Sequence, residues 1–291
     1  MVSISRIRQA ALGLVYATVE NGGTLGDEEL FWALSLEKET DRYRAAWARA
    51  ICHVCRSSGE LCRALGEKWQ RVSEALQGDL TALSLREEGE RHHRQMEAFE
   101  AALAALRYCM KDKRRDTSDQ LQLCCQDVVR LASVVAQLGE AVLPRVADFP
   151  AYRAVLEPWS AAVRRCARML MMCSALERPE QLEGQDEFSG LVRQARALED
   201  IRPAAEKLAG AVLARREELD ARIGSLLAHY STERLDVVDK CILYIALYEM
   251  EVEKLDVPIV VSEAISLADT YSGSRSATFI HGIIATAAKR D

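Results

Sequence analysis

The chain lacks any stretch of about eighteen consecutive uncharged apolar residues, so no segment of it reads as a membrane-spanning helix. Helix breakers are scarce, with 6 prolines and 15 glycines in 291 residues, and no run of alternating β-branched residues is long enough to impose a sheet. A glycine-rich phosphate loop, an HExxH pair and a GxSxG nucleophile turn are all missing, as is a Cys–His pair with a supporting third residue. These absences point away from an enzyme and leave no cofactor to expect. The first helix carries Arg6 and Arg8 but no clean apolar region with a small-residue cleavage site, so no signal peptide is read and a cytoplasmic protein is expected.

What is present favours helices. Hydrophobic residues make up 49% and charged residues 28%, with Ala, Leu, Glu and Arg abundant. The length exceeds that of one ordinary compact domain, so two lobes or one domain with a large insertion are expected. A net charge of −6 does not advertise nucleic-acid binding; any such site must be a local patch or be shared with a basic partner. Nine cysteines, an odd number scattered through helical patterns, suit a reducing compartment. Cys52, His53 and Cys55, with Cys62 and His92-His93, have a zinc-like look, but Ile51, Cys52, Cys55, Cys62, Leu65 and Trp69 form one helical stripe, so a packed core is expected and no metal.

Residues 5–20 read as an amphipathic helix closed by Asn21-Gly22-Gly23, and a short helix follows over Asp27 to Leu36. Long helices are then expected over roughly Thr40–Gln77, Arg86–Lys111, Ser118–Leu143 and Ala151–Leu176, with a shorter one over Glu187–Leu198. Asp200 and Pro203 read as a cap and first-turn proline that start a new helix. The run Val238 to Met250 is apolar over most of its circumference, which makes it the expected central post of a bundle. Asp256 and Pro258 open the next helix, and Ser272-Gly273-Ser274-Arg275-Ser276 separates it from the last.

The blocks ERLDVVDKCILYIALYEM and KLDVPIVVSEAISLADTYSGSRSATFIHGIIATAAK resemble the carboxy-terminal half of the NusB transcription antitermination factors, with the spacing between blocks kept. AEKLAGAVLARREELDARIGSLLAHY and RQAALGLVY resemble further helices of that family. The resemblance implies an all-α fold, a NusB-like helical bundle split by a large helical-bundle insertion: residues 1–36 and 200–291 as the NusB-like domain and 37–199 as the insertion. It also implies binding to boxA-type RNA, to ribosomal protein NusE and to the RNA polymerase elongation complex, and it admits a homodimer.

Ser274, Arg275, Ser276 and Phe279 are the first candidate RNA-binding residues, because a helix start exposes N–H groups and a ring one turn in can stack on an unpaired base. Read from the residues alone, the same segment is an interhelical turn whose Phe belongs to the core. The resemblance adds Arg6, Arg8 and Tyr16 from the first helix, which the family fold would set beside the last; Ile4 and Ser5 stand where the family is often basic. It also marks Glu249 and Glu253 for protein partnership, against a plain solvated helix end. The clusters Arg86–Arg94 and Lys111–Arg115 read either as solvated turns or as an extension of the RNA path, and Met169–Met172 as core.

Overall fold

The computed structural model describes residues 4–23, 26–111, 118–227 and 235–289, and all that follows concerns these. They form twelve α-helices: α1 Ile4–Glu20, α2 Glu28–Ser35, α3 Glu37–Val54, α4 Ser58–Ala75, α5 Leu83–Cys109, α6 Ser118–Val142, α7 Arg153–Ala175, α8 Ser189–Ala214, α9 Arg216–Leu226, α10 Val237–Glu251, α11 Val257–Tyr271 and α12 Ser274–Ala287. No strand occurs among the described residues. The all-α class is as the sequence predicts. The helices fall into two compact units, one of residues 1–38 and 196–291 and one of residues 39–195.

The unit of residues 1–38 and 196–291 is built around α10, whose residues Cys241 to Met250 are all buried. Asp236 starts this helix by accepting from the Val238 N–H at 2.9 Å. No glycine or proline interrupts it, and it ends where Lys254 takes a φ of 57° and the Leu255 N–H reaches back to the Glu249 carbonyl. Around it lie Ala11, Leu14 and Val15 of α1, Val212 of α8, Ile223 of α9, Ala264 and Ala268 of α11, and Ile280 and Ile284 of α12. Asp256 stands at the cap position of α11 as expected, but its side chain makes no capping bond.

Two boundaries differ from those the pattern predicts. The stretch Thr40–Gln77 is two helices, because the chain turns at residues 55–57, where Arg107 donates to the Cys55 carbonyl at 2.9 Å. The break predicted at Asp200–Pro203 does not occur: α8 runs through Pro203. A proline removes only one backbone donor, and here the flanking Ile201 and Ala205 are buried while Arg202 pairs with Glu28 at 2.6 Å and Glu206 at 2.9 Å. Side-chain burial outweighs the local signal.

In the unit of residues 39–195, α5 and α6 run antiparallel, with Cys109 beside Cys124 at one end and His92 beside Gly139 further along. Trp69 of α4 and Trp159 of α7 meet with ring centroids 5.3 Å apart, and Trp69 lies over Gly89. His92 packs edge-on against Trp159 and is 1% exposed. Among the described residues no group of three or more His, Cys, Asp or Glu is arranged to hold a metal ion; Cys52 contacts the Met110 sulfur, and the free thiols of Cys55 and Cys173 meet in a hydrogen bond. Of Met169–Met172, read as core, only Met169 and Leu170 are buried; Met171 and Met172 face outward.

Two outcomes follow from this core. A methyl group on Gly89 would sit 2.1 Å from the Trp69 ring, so Gly89→Ala is expected to lower the unit's unfolding free energy by about 1–3 kcal/mol, read from its urea midpoint. Burial, with the nearby His93 charge, lowers the His92 pKa from 6.5 to about 4. Between those values the unfolded chain binds a proton that the folded one refuses, so stability is complete above pH 6.5 and falls as the pH drops toward 4. The loss approaches about 3 kcal/mol, and His92→Leu should flatten that part of the pH profile of unfolding.

Candidate nucleic-acid interface

Each candidate side chain is positioned relative to α10. At the carboxy-terminal end of that helix, Arg8 Nε donates to both Glu249 oxygens at 2.7 and 2.9 Å, and its Nη1 lies 3.5 Å from Glu263 of α11. Arg8 is 3% exposed and Glu249 4%. Burial raises the Glu249 pKa above its ordinary value, and the Arg8 hydrogen bonds and charge pull it back. The expectations that Arg8 faces RNA and that Glu249 faces a protein partner are therefore corrected: the two side chains face each other. Glu253 stands exposed in the turn after α10.

At the amino-terminal end of α10, Asp239 holds the α11–α12 turn. Ser272 Oγ donates to Asp239 Oδ1 at 2.6 Å and Ser276 Oγ donates to Oδ2 at 2.8 Å. Gly273 sits between them at φ 108°, a backbone state that a residue with a Cβ rarely adopts, and the chain reverses there. Ser276 thus serves the turn rather than standing free. Ser274 and Arg275 are exposed, and among the described residues no carboxylate lies within ion-pair distance of Arg275. No side chain caps α12, so its first N–H groups remain open. Phe279 is half-buried, one side of it packed on the core.

The two ends of α10 are ten residues apart, about 15 Å at the α-helical rise. α1 runs antiparallel to α10, with Arg8 at Glu249 and Glu20 near enough to Cys241 to add to the raised pKa that burial gives its thiol. Tyr16, 40% exposed, therefore lies toward the end of α10 that carries the serine turn, and Arg8 toward the other. Arg6 is half-buried and donates to Gln9 at 2.8 Å. The structure thus brings Tyr16, Ser274, Arg275 and Phe279 toward one end and leaves Arg8 and Glu249 inside the other. The residue that sequence reasoning missed is Asp239, whose only signal was an acid on an otherwise apolar helix.

Comparison with known proteins bears on this arrangement. A family model described as NusB family matches residues 161–289. The chain is similar to a protein named Transcription antitermination protein NusB from Campylobacter hominis, 30% identical over 102 residues that cover 35% of this chain and 78% of that one. The chain belongs to the NusB family. Proteins of the same name from Clostridium botulinum and Pseudoalteromonas atlantica are 45% identical over 71 residues and 41% identical over 85, covering 24% and 28% of this chain. The chain spans about half the length of the Clostridium botulinum relative, 50%. No solved structure matches it.

Within this NusB-family chain, Ser276 and Ser274 separate a structural role from a surface one. Ser276→Ala is expected to lower stability by about 1 kcal/mol, because it leaves Asp239 short of a donor in a site 7% exposed. Ser274→Ala should leave the thermal midpoint unchanged.

Proposed function

We propose that this NusB-family protein binds single-stranded boxA-type RNA at the α11–α12 turn, together with ribosomal protein NusE, and so acts as a transcription antitermination factor on the RNA polymerase elongation complex. The observation that carries this reading is the turn itself. Asp239 pins it from beneath, and it presents an unpaired Arg275, the exposed hydroxyl of Ser274 and the uncapped start of α12. The half-exposed ring of Phe279 follows one turn later, and Tyr16 lies toward the same end of α10. Phosphate contacts and base stacking are the two things such a surface supplies, and neither needs bond-making chemistry. Tyr16, Ser274, Arg275 and Phe279 are the proposed RNA-contacting set, with Ser276 and Arg8 holding the scaffold; Arg6, two residues from Arg8, lies toward the other end of α10 and is left out of the set. The exposed turn bearing Glu253, beside Val252 and Lys254, is the proposed meeting place with NusE.

The burial of Arg8 favours a second reading, since it takes one arginine out of an already thin basic surface on a chain of net charge −6. In that reading the protein is a helical adaptor that has kept its partner and lost strong RNA binding. Filter binding of a boxA RNA at low salt, with and without NusE, separates the two. RNA retention that falls at least tenfold on Phe279→Ala and Arg275→Gln is expected. Intact NusE binding with no RNA retention would favour the adaptor.

A further inference from the structure

Beyond Pro158, α7 carries no acidic residue, and its outward face is Ala161, Arg164, Arg165, Arg168, Met171 and Met172. Arg164, Arg165 and Arg168 are all exposed, and among the described residues none of them lies within ion-pair distance of a carboxylate. Residues three and four apart share one side of a helix, so these three guanidinium groups crowd one another within a single turn. Like charges so placed weaken a helix. The neighbouring α4 adds Lys68: Lys68 and Arg165 act from two helices on the same buried thiol of Cys166, and among the described residues the Lys68 ammonium meets only the Ala64 carbonyl, at 3.4 Å. Other exposed arginines of this unit are spread out: Arg56 and Arg178 lie outside the helices, and Arg91 of α5 shares its helix with Arg94, which lies 4.0 Å from the acid Glu90.

We propose that this α7 face, Arg164, Arg165 and Arg168 with Lys68 beside them, is a second RNA-binding surface that grips phosphates of the strand outside its boxA-type element. The inference rests on the RNA-binding reading above and extends it to the unit of residues 39–195. The chemistry favours a polyphosphate strand over a protein or a membrane. A guanidinium group pairs with a phosphate through two parallel N–H bonds, and three guanidinium groups within one turn of a helix, with an ammonium from the next helix, suit a repeating anion. Two clefts of this unit lie elsewhere, one beside His53 and Phe188 and one between α4 and α5 beside Gly66 and His93. Its apolar side, Trp159, Val163, Leu170 and Cys173, is spent on the core and has none left to enter a bilayer. Met171 and Met172, 57% and 37% exposed, extend the cationic stripe with soft apolar contacts that suit a sugar or base edge.

The test uses the full chain and a fluorescein-labelled single-stranded RNA holding a boxA element followed by unstructured flanking sequence, with affinity measured by anisotropy across a salt series. The variant R164Q/R165Q/R168Q should bind this RNA at least tenfold more weakly, with a salt slope shallower by about 2 at about 0.7 per lost phosphate contact. The charge-matched control R56Q/R91Q/R178Q should change affinity less than threefold. Both sets are exposed, so the control should melt as the wild type does, and the α7 variant, relieved of like-charge crowding, no lower than the wild type. Trimming the RNA to the boxA element alone should erase the difference between wild type and the α7 variant. Equal effects of the two triple variants, or none, would overturn the α7 surface while leaving the turn at Gly273 in place. Wild-type binding to phosphatidylglycerol vesicles or to a polyglutamate peptide that the α7 variant loses, with RNA affinity unchanged, would overturn it in favour of another anion. A wild-type chain that binds no RNA at about 50 mM salt would overturn both proposals together.

Discussion

In the unit of residues 1–38 and 196–291, one buried ion pair ties the start of the chain to its end. Arg8 and Glu249 are 241 residues apart in sequence, yet they meet in two hydrogen bonds with almost no access to water, and Glu263 stands close by. Charges taken out of water are expensive, and a pair of them is tolerated only when geometry and extra hydrogen bonds offset the desolvation. The Nε–H, shared between both Glu249 oxygens, with Nη1 beside Glu263, does that. It ties the first helix of the chain to the end of α10 and to α11, so residues that arrive early in the sequence are set against residues that arrive last. Removing one partner would strand the other charge, which is a larger penalty than the pair's own contribution.

With that end closed, the opposite end of α10 is free to present a surface. Asp239 there uses both oxygens on Ser272 and Ser276, which fixes the direction in which the chain leaves α11 and enters α12. A turn held from beneath by a buried carboxylate does not have to be ordered again when a ligand arrives, and less ordering on binding means more of the interaction appears as affinity. α10 is therefore a strut with one end closed by an ion pair and the other presenting the candidate RNA surface. The largely apolar course between them, with the Tyr244 hydroxyl donating to Asp220, is why no residue from Cys241 to Met250 is exposed.

Much of this was legible in the residues. An apolar run without a polar stripe identified α10, and Gly273 flanked by serines identified a turn, because period and backbone freedom are local properties. What failed was non-local. Arg8 near the start of an amphipathic helix reads as solvated, and nothing within twenty residues announces a carboxylate from the far end of the chain. Glu249 was misread for the same reason. Pro203 suggested a helix start, but the burial of Ile201 and Ala205 and the ion pairs of Arg202 override one missing donor. The turn between α3 and α4 left no proline, only Ser57, Ser58 and Gly59, and was read as continuous helix.

The central claim is that Arg8 serves the fold and the Gly273 turn serves the ligand. A double-mutant cycle on Arg8 and Glu249 addresses it directly, with unfolding free energy and RNA affinity measured on the same proteins. The account predicts that R8M alone costs about 3–5 kcal/mol, that R8M/E249L recovers most of that loss, and that the double variant binds RNA as the wild type does. A double variant that is fully stable but has lost RNA binding would contradict it, because Arg8 would then belong to the ligand and not to the core.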